Sequence, residues 1–133
     1  MPSFTFVSTA NAFVSRGAKI VFADSKKDNP NMDENQIEKL ITSKTKAIVP
    51  VDYSGLPVKL NEFKKIAKKY KLILIEDAAH ALGAIYQDRK IGSVSDMTMF
   101  SFHPVKSITT GEGGAVTTDR KDFYERLVLF RNH

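Results

Sequence analysis

The chain contains no cysteine. That excludes a disulfide framework, a thiolate nucleophile and a cysteine zinc site. No apolar run approaches the ~18 residues of a membrane span. The opening stretch MPSFTFVSTANAFVSRG lacks a basic region followed by a clean apolar core, so it does not read as a signal peptide. A cytoplasmic protein is the expectation. The histidines are His80, His103 and His133, with no partner at ligand spacing, so no metal is expected. Like charge is also never concentrated. Lysine and arginine total 20 against 15 acidic residues, a net charge of +5, but they fall in small groups such as SKKD, KKIAKKYK and DRK. Such groups read as solvated faces, and no arm or motif for nucleic acid is present. Repeats and low-complexity segments are absent as well.

What remains is an ordinary globular composition, 42% hydrophobic and 26% charged over 133 residues. A chain of this size can bury about 68% of the surface its unfolded form exposes. Helical spacing is read over 8–16, ended by Gly17, over 29–42 with Asp33 as N-cap and Ile37, Leu40 and Ile41 on one face, over 59–71 and over 122–132. In 59–71, Leu60, Phe63, Ile66, Ala67 and Tyr70 form one stripe with lysines opposite. Strands are read over 18–24, 46–53, 72–79, 97–102 and 114–118. The alternation of strands and helices with short links predicts an α/β fold, a three-layer α/β/α arrangement around a mostly parallel sheet. Ligands of such sheets sit at the carboxyl ends of the strands.

Three groups follow strand ends. LILIED drives an apolar strand into two carboxylates, and Asp77 needs a cationic partner or an N-cap role to tolerate burial. His80 lies three residues on and is otherwise a structural histidine. Lys106, between Pro104 and the glycine cluster GEGG, is either a surface charge or a desolvated amine. GEGG matches neither the dinucleotide nor the P-loop pattern, so its glycines read as a tight turn. Ser3, Thr5, Ser8 and Thr9 with Phe4 and Phe6 make a polar–aromatic patch that is uninformative alone. An acid, an imidazole and an amine on neighbouring strand ends suit pyridoxal phosphate. The acid keeps the pyridine nitrogen protonated and the lysine holds the aldehyde.

The segments PSFTFVSTANAF, GAKIVFAD, TKAIVPVDYSG, IEDAAHALGAIYQDRKIGS and FSFHPVKSITTGEGGAVTT resemble, in order, the DegT/DnrJ/StrS-type sugar aminotransferases. These are pyridoxal 5'-phosphate enzymes of the aspartate aminotransferase fold. The likeness is to the branch that aminates the C4 keto group of UDP-linked deoxysugars for glycan biosynthesis. It implies that Lys106 is the Schiff-base lysine and general acid–base, and that Asp77 pairs with the pyridinium nitrogen. His80 would sit near the phenolic oxygen where many relatives carry Gln, Ser101 on the phosphate and Phe6 against the ring. Glutamate would be the amino donor, a UDP-keto-sugar the acceptor, and a homo-oligomer the expected assembly. Dehydratases of the same family have His where Lys106 stands, so the lysine points to transamination. The resemblance further implies that residues 1–133 are the central part of the cofactor-binding large domain, without its N-terminal phosphate loop or its C-terminal small domain. Weak cofactor binding, little turnover and self-association are then expected. Two alternatives stand beside this reading: a non-catalytic relative acting as a regulatory or binding module, and a generic open α/β binding domain.

Overall fold

The computed structural model describes residues 1–132. His133, one of the three histidines weighed as a metal ligand, lies outside the described residues. Four strands, β1 (Ala47–Ile48), β2 (Ile73–Asp77), β5 (Met97–Ser101) and β6 (Gly114–Thr117), form one sheet in the order β1-β2-β5-β6. β1–β2 and β2–β5 are parallel and β5–β6 is antiparallel. The short strands β3 (Ile85–Tyr86) and β4 (Arg89–Lys90) make a separate hairpin. Its two turn residues, Gln87 and Asp88, both have positive φ, the geometry that matches strand twist in a two-residue loop.

One helix closes one face of the sheet. In α2 (Leu60–Tyr70), Leu60, Phe63, Ile66 and Ala67 are buried, as the stripe predicts, whereas Tyr70 at its end is exposed. They pack with Ile48 and Leu74 from the strands and with Met32, Ile37, Val58 and Phe100 in a single core. Glu62 in the first turn and Lys68 and Lys69 in the last suit the helix dipole. The strands alternate accordingly: Leu74, Glu76, Thr98 and Phe100 are buried toward this side. The other face carries α1 (Val7–Val14) and α3 (Lys121–Asn132). Neither packs tightly. Only Thr9 is buried in α1 and no residue of α3 is. Arg16, beyond α1, lies over the Phe130 ring of α3 at 5.4 Å.

Three expected elements are different. Residues 18–24 form no strand: Ala23 makes an isolated parallel bridge to Pro2, and Val21 and Phe22 are half exposed. A strand exists only where a ladder partner runs beside it, and this segment meets one at a single point. The helix expected over 29–42 is two short 3₁₀ turns, Glu34–Gln36 and Glu38–Leu40. Asp33 does cap, accepting from the Asn35 N–H at 3.0 Å. Long-range bonds fix the rest: Glu34 is held between Lys26 and Lys59 at 2.6 and 2.8 Å, and the Asn31 side chain bonds Leu56 and Tyr53. These ties fit tight turns and not a continuous helix. The expected strand 46–53 is shortened to β1, with one further bridge from Val51 to Asp77. Among the described residues no helix is long and apolar enough to cross a membrane.

Candidate functional site

β2 and β5 both run out at the same end of the sheet, one on Asp77 and the other on Ser101. Asp77 is 5% exposed. Its Oδ2 accepts from Thr9 Oγ1 at 2.7 Å and its Oδ1 from the Ala79 N–H at 3.1 Å. Thr9 in turn pairs with Thr5 at 3.0 Å. α1 therefore delivers a hydroxyl to the strand-end carboxylate from 68 residues away.

His80 follows on the turn after β2. The Ser54 N–H donates to His80 Nδ1 at 3.2 Å. That contact leaves the ring proton of neutral His80 on Nε2. Tyr53 meets the imidazole edge-on at 5.6 Å, and Phe4 lies 5.0 Å from Tyr53. Desolvation and the nearby Lys106 ammonium lower the His80 pKa, against a weaker opposing pull from Asp77. The imidazole is thus neutral near pH 7. Gly55 (φ +81°) brings this turn close, since a Cβ there would stand 2.9 Å from the His80 carbonyl oxygen.

Lys106 sits in the loop between β5 and β6. Phe102 closes that loop by donating to the Gly113 carbonyl at 2.9 Å and accepting from the Thr110 N–H at 3.0 Å. A tighter turn runs inside it, from the Lys106 N–H to His103 O at 2.9 Å. Val105 is 77% exposed, whereas Lys106 is half-buried. The lysine is turned away from the surface its neighbours occupy. Gly114 permits the strand pairing beneath it, because a Cβ would lie 2.7 Å from the Phe100 carbonyl oxygen. Ser101 Oγ accepts from the His103 N–H at 3.4 Å.

These groups share one cleft of about 1290 Å³ at the carboxyl ends of the strands. All five residues singled out from the sequence, Phe6, Asp77, His80, Ser101 and Lys106, line it. The remaining wall is largely apolar and includes Tyr53, Met99, Val116 and Tyr124. Phe6 stands at the entrance to α1 and is 73% exposed. A buried acid, a neutral imidazole and a half-buried amine in one apolar recess can hold and move protons on a flat, charged ligand. Among the described residues no cluster of three or more His, Cys, Asp or Glu side chains could hold a metal ion.

Sequence reasoning missed the Thr9–Asp77 bond and the aromatic contact of Tyr53 with His80. Both residues were visible, Thr9 in the N-terminal polar patch and Tyr53 in the segment after β1. What no local pattern carries is the long-range pairing itself.

The whole chain, residues 1–133, matches the model of the DegT/DnrJ/EryC1/StrS aminotransferase family. It is 50% identical over 130 residues to the uncharacterised protein MJ1066 of Methanocaldococcus jannaschii, covering 98% of this chain and 34% of that one. It is 46% identical over 129 residues to the UDP-4-amino-4,6-dideoxy-N-acetyl-beta-L-altrosamine transaminase of Helicobacter pylori, covering 97% and 34%. The solved structure of Helicobacter pylori PseC, an aminotransferase involved in the biosynthesis of pseudoaminic acid, superposes with a TM-score of 0.95 at 45% identity, covering 99% of this chain and 35% of that one. The chain thus spans about a third of the length of these relatives. The strand order, the strand-end cleft and the full-length match agree: this chain belongs to the DegT/DnrJ/EryC1/StrS aminotransferase family.

Proposed function

We propose that the chain carries the cofactor-binding part of an aminotransferase that moves an amino group from glutamate to a nucleotide-linked keto-sugar, with pyridoxal 5'-phosphate as cofactor. Residues 1–133 are read as one unit of the large domain, working in the cytoplasm within a homo-oligomer. The observation that carries the reading is the gathering of Asp77, His80 and Lys106 in one cleft. The Helicobacter pylori transaminase is named for a UDP-linked amino sugar, which supports the acceptor class.

The residues fit the cofactor. Asp77 is a buried carboxylate lining an apolar recess, and a protonated ring nitrogen is the kind of partner such a group needs. Pyridoxal phosphate supplies an electron sink and a carbonyl carbon that can take up an amino group. Asp77 would hold the proton on the ring nitrogen, and Thr9 Oγ1 and the Ala79 N–H hold Asp77 in register. Lys106 Nζ would be the amine that holds the cofactor at its carbonyl carbon, and the group that moves protons at the substrate carbon. His80 would offer its Nε2–H to the ring's phenolic oxygen. Ser101 Oγ would hold the phosphate, and Phe6 would cover one face of the ring.

Phe6 and the loop bearing Lys106 are largely exposed, so the chain binds the cofactor weakly and turns over little. Titrating the protein with pyridoxal phosphate tests the reading by visible absorbance. A cofactor band is expected that disappears in Lys106→Ala and persists in Lys39→Ala. A band that survives Lys106→Ala overturns it.

A further inference from the structure

Behind the cleft, on the closed face of the sheet, Asp52 and Glu76 meet inside the core. Both are 0% exposed. Asp52 Oδ1 accepts from the Val58 N–H at 2.9 Å. Glu76 Oε2 accepts from Ser95 Oγ at 2.8 Å and Thr98 Oγ1 at 2.9 Å. Each carboxyl keeps one buried oxygen without a donor, Asp52 Oδ2 and Glu76 Oε1. The two carboxyls are within hydrogen-bonding reach of each other. Two adjacent buried carboxylates repel, and each orphan oxygen adds a desolvation cost. A single proton held between Asp52 Oδ2 and Glu76 Oε1 would answer both. Glu76 takes two hydroxyl donors on its other oxygen and Asp52 only one backbone donor, so burial weighs most on the charged form of Asp52.

We propose that Asp52 and Glu76 share one proton as a carboxylic acid–carboxylate pair, and that this pair is a positioning element for the turn that holds His80. The link is direct. The Asp52 N–H donates to Asp77 O and the Asp77 N–H to Pro50 O, at 3.0 and 2.9 Å. Asp52 O then accepts from the Gly55 N–H at 3.1 Å, closing the turn whose Ser54 N–H reaches His80 Nδ1. Neither residue touches the cleft, and the pair requires no cofactor, so the inference stands apart from the proposed function.

Among the described residues the surroundings offer no counter-charge. From β2 come Glu76 and Asp77, both of which raise the Asp52 pKa. From β5 and the turn before it come the neutral Thr98 and Ser95; Val58 gives its N–H, and the buried residues of α2 are all apolar. Among the described residues no lysine, arginine or histidine forms an ion pair with either carboxyl. Burial, then the charge of Glu76, raises the Asp52 carboxyl from its ordinary 3.8 to about 9. Between those values the folded chain binds a proton that the unfolded chain releases. The contribution to stability is therefore complete below pH 3.8 and falls as pH rises toward about 9.

The test combines urea unfolding across that window with nuclear magnetic resonance of the Ser54 amide and the His80 ring, the latter assigned with His80→Gln. In the wild-type chain the unfolding midpoint is expected to fall as pH rises, and the Ser54 amide to show an inflection at the same pH. Asp52→Asn keeps a donor to Glu76, so the fall and the inflection disappear while the His80 titration stays in place. Asp52→Ala, which leaves Glu76 without its donor, shifts the His80 titration. If the alanine variant does not fold, the wild-type inflection and its loss in Asp52→Asn decide. A midpoint that is flat in the wild type, or a slope retained in Asp52→Asn, overturns the shared proton. An unresponsive Ser54 amide overturns the positioning role.

Discussion

The two faces of the sheet are built on different terms. The α2 face is closed: Leu60 and Phe63 are 0% exposed and meet Leu74 and Phe100 in a continuous core. The α1/α3 face is open: α3 has no fully buried residue, only Phe123, Leu127 and Val128 half-buried, Phe130 is 73% and Leu129 69% exposed, and the cleft lies between. Hydrophobic burial stabilises the first, at about 25 cal/mol per Å² of apolar surface. The second is organised by a few polar bonds around Asp77 and His80. Stability and candidate chemistry occupy opposite sides of the same strands.

The contrast is sharpest at Phe63. Phe63→Ala opens a cavity in the closed core and is expected to cost about 3–5 kcal/mol, read as a lowered urea midpoint. A loss below about 1 kcal/mol would show that the closed face is not what holds the fold. On the other side the largest effect belongs to Thr9→Val. It removes a donor from a buried carboxylate, with an expected loss of about 2 kcal/mol and a weaker affinity for pyridoxal phosphate by absorbance titration. Unchanged affinity would mean that Asp77 does not depend on α1 for its position.

A smaller effect comes from Glu34, at the edge of the closed side. Burial raises its pKa, but hydrogen bonds from Lys26 and Lys59 and the charge of Lys26 outweigh this and lower it to about 2 from 4.5. Its contribution is present above pH 4.5 and is lost as pH falls through about 2. Glu34→Gln should flatten the acid limb of a stability–pH curve, and an unaltered limb would assign that loss to other carboxylates. The smallest stability change is expected at Phe130→Ser, within about 0.5 kcal/mol. The same substitution should reduce self-association in light scattering, because apolar surface on the open face is what copies would share.

The closed face was legible in the sequence because its signal is periodic. The Leu60–Tyr70 stripe and the apolar runs before Asp77 and Ser101 need no partner to be read. Segment 18–24 carried the same β-forming residues and still is not a strand, since a ladder also depends on a neighbour that composition does not show. The stretch 29–42 had helical spacing, but Asn31 and Glu34 answer to residues about 25 positions away or fewer, and those bonds set its shape. At the site, Asp77, His80 and Lys106 were visible as chemistry placed after strands. Thr9 and the Asp52–Glu76 contact were not, because each is a pairing made only by the fold.

The central claim is that Lys106 is the reactive amine of the cleft, set apart from the surface lysines. The most direct measurement is to treat the protein with pyridoxal phosphate, reduce it with borohydride and map the modified lysine by mass spectrometry. The account predicts label concentrated on Lys106, and a sharp drop in that labelling when Asp77 is changed to Ala. Label spread evenly over the lysines of α2 and the other exposed faces, with Lys106 no more reactive than the rest, would contradict it.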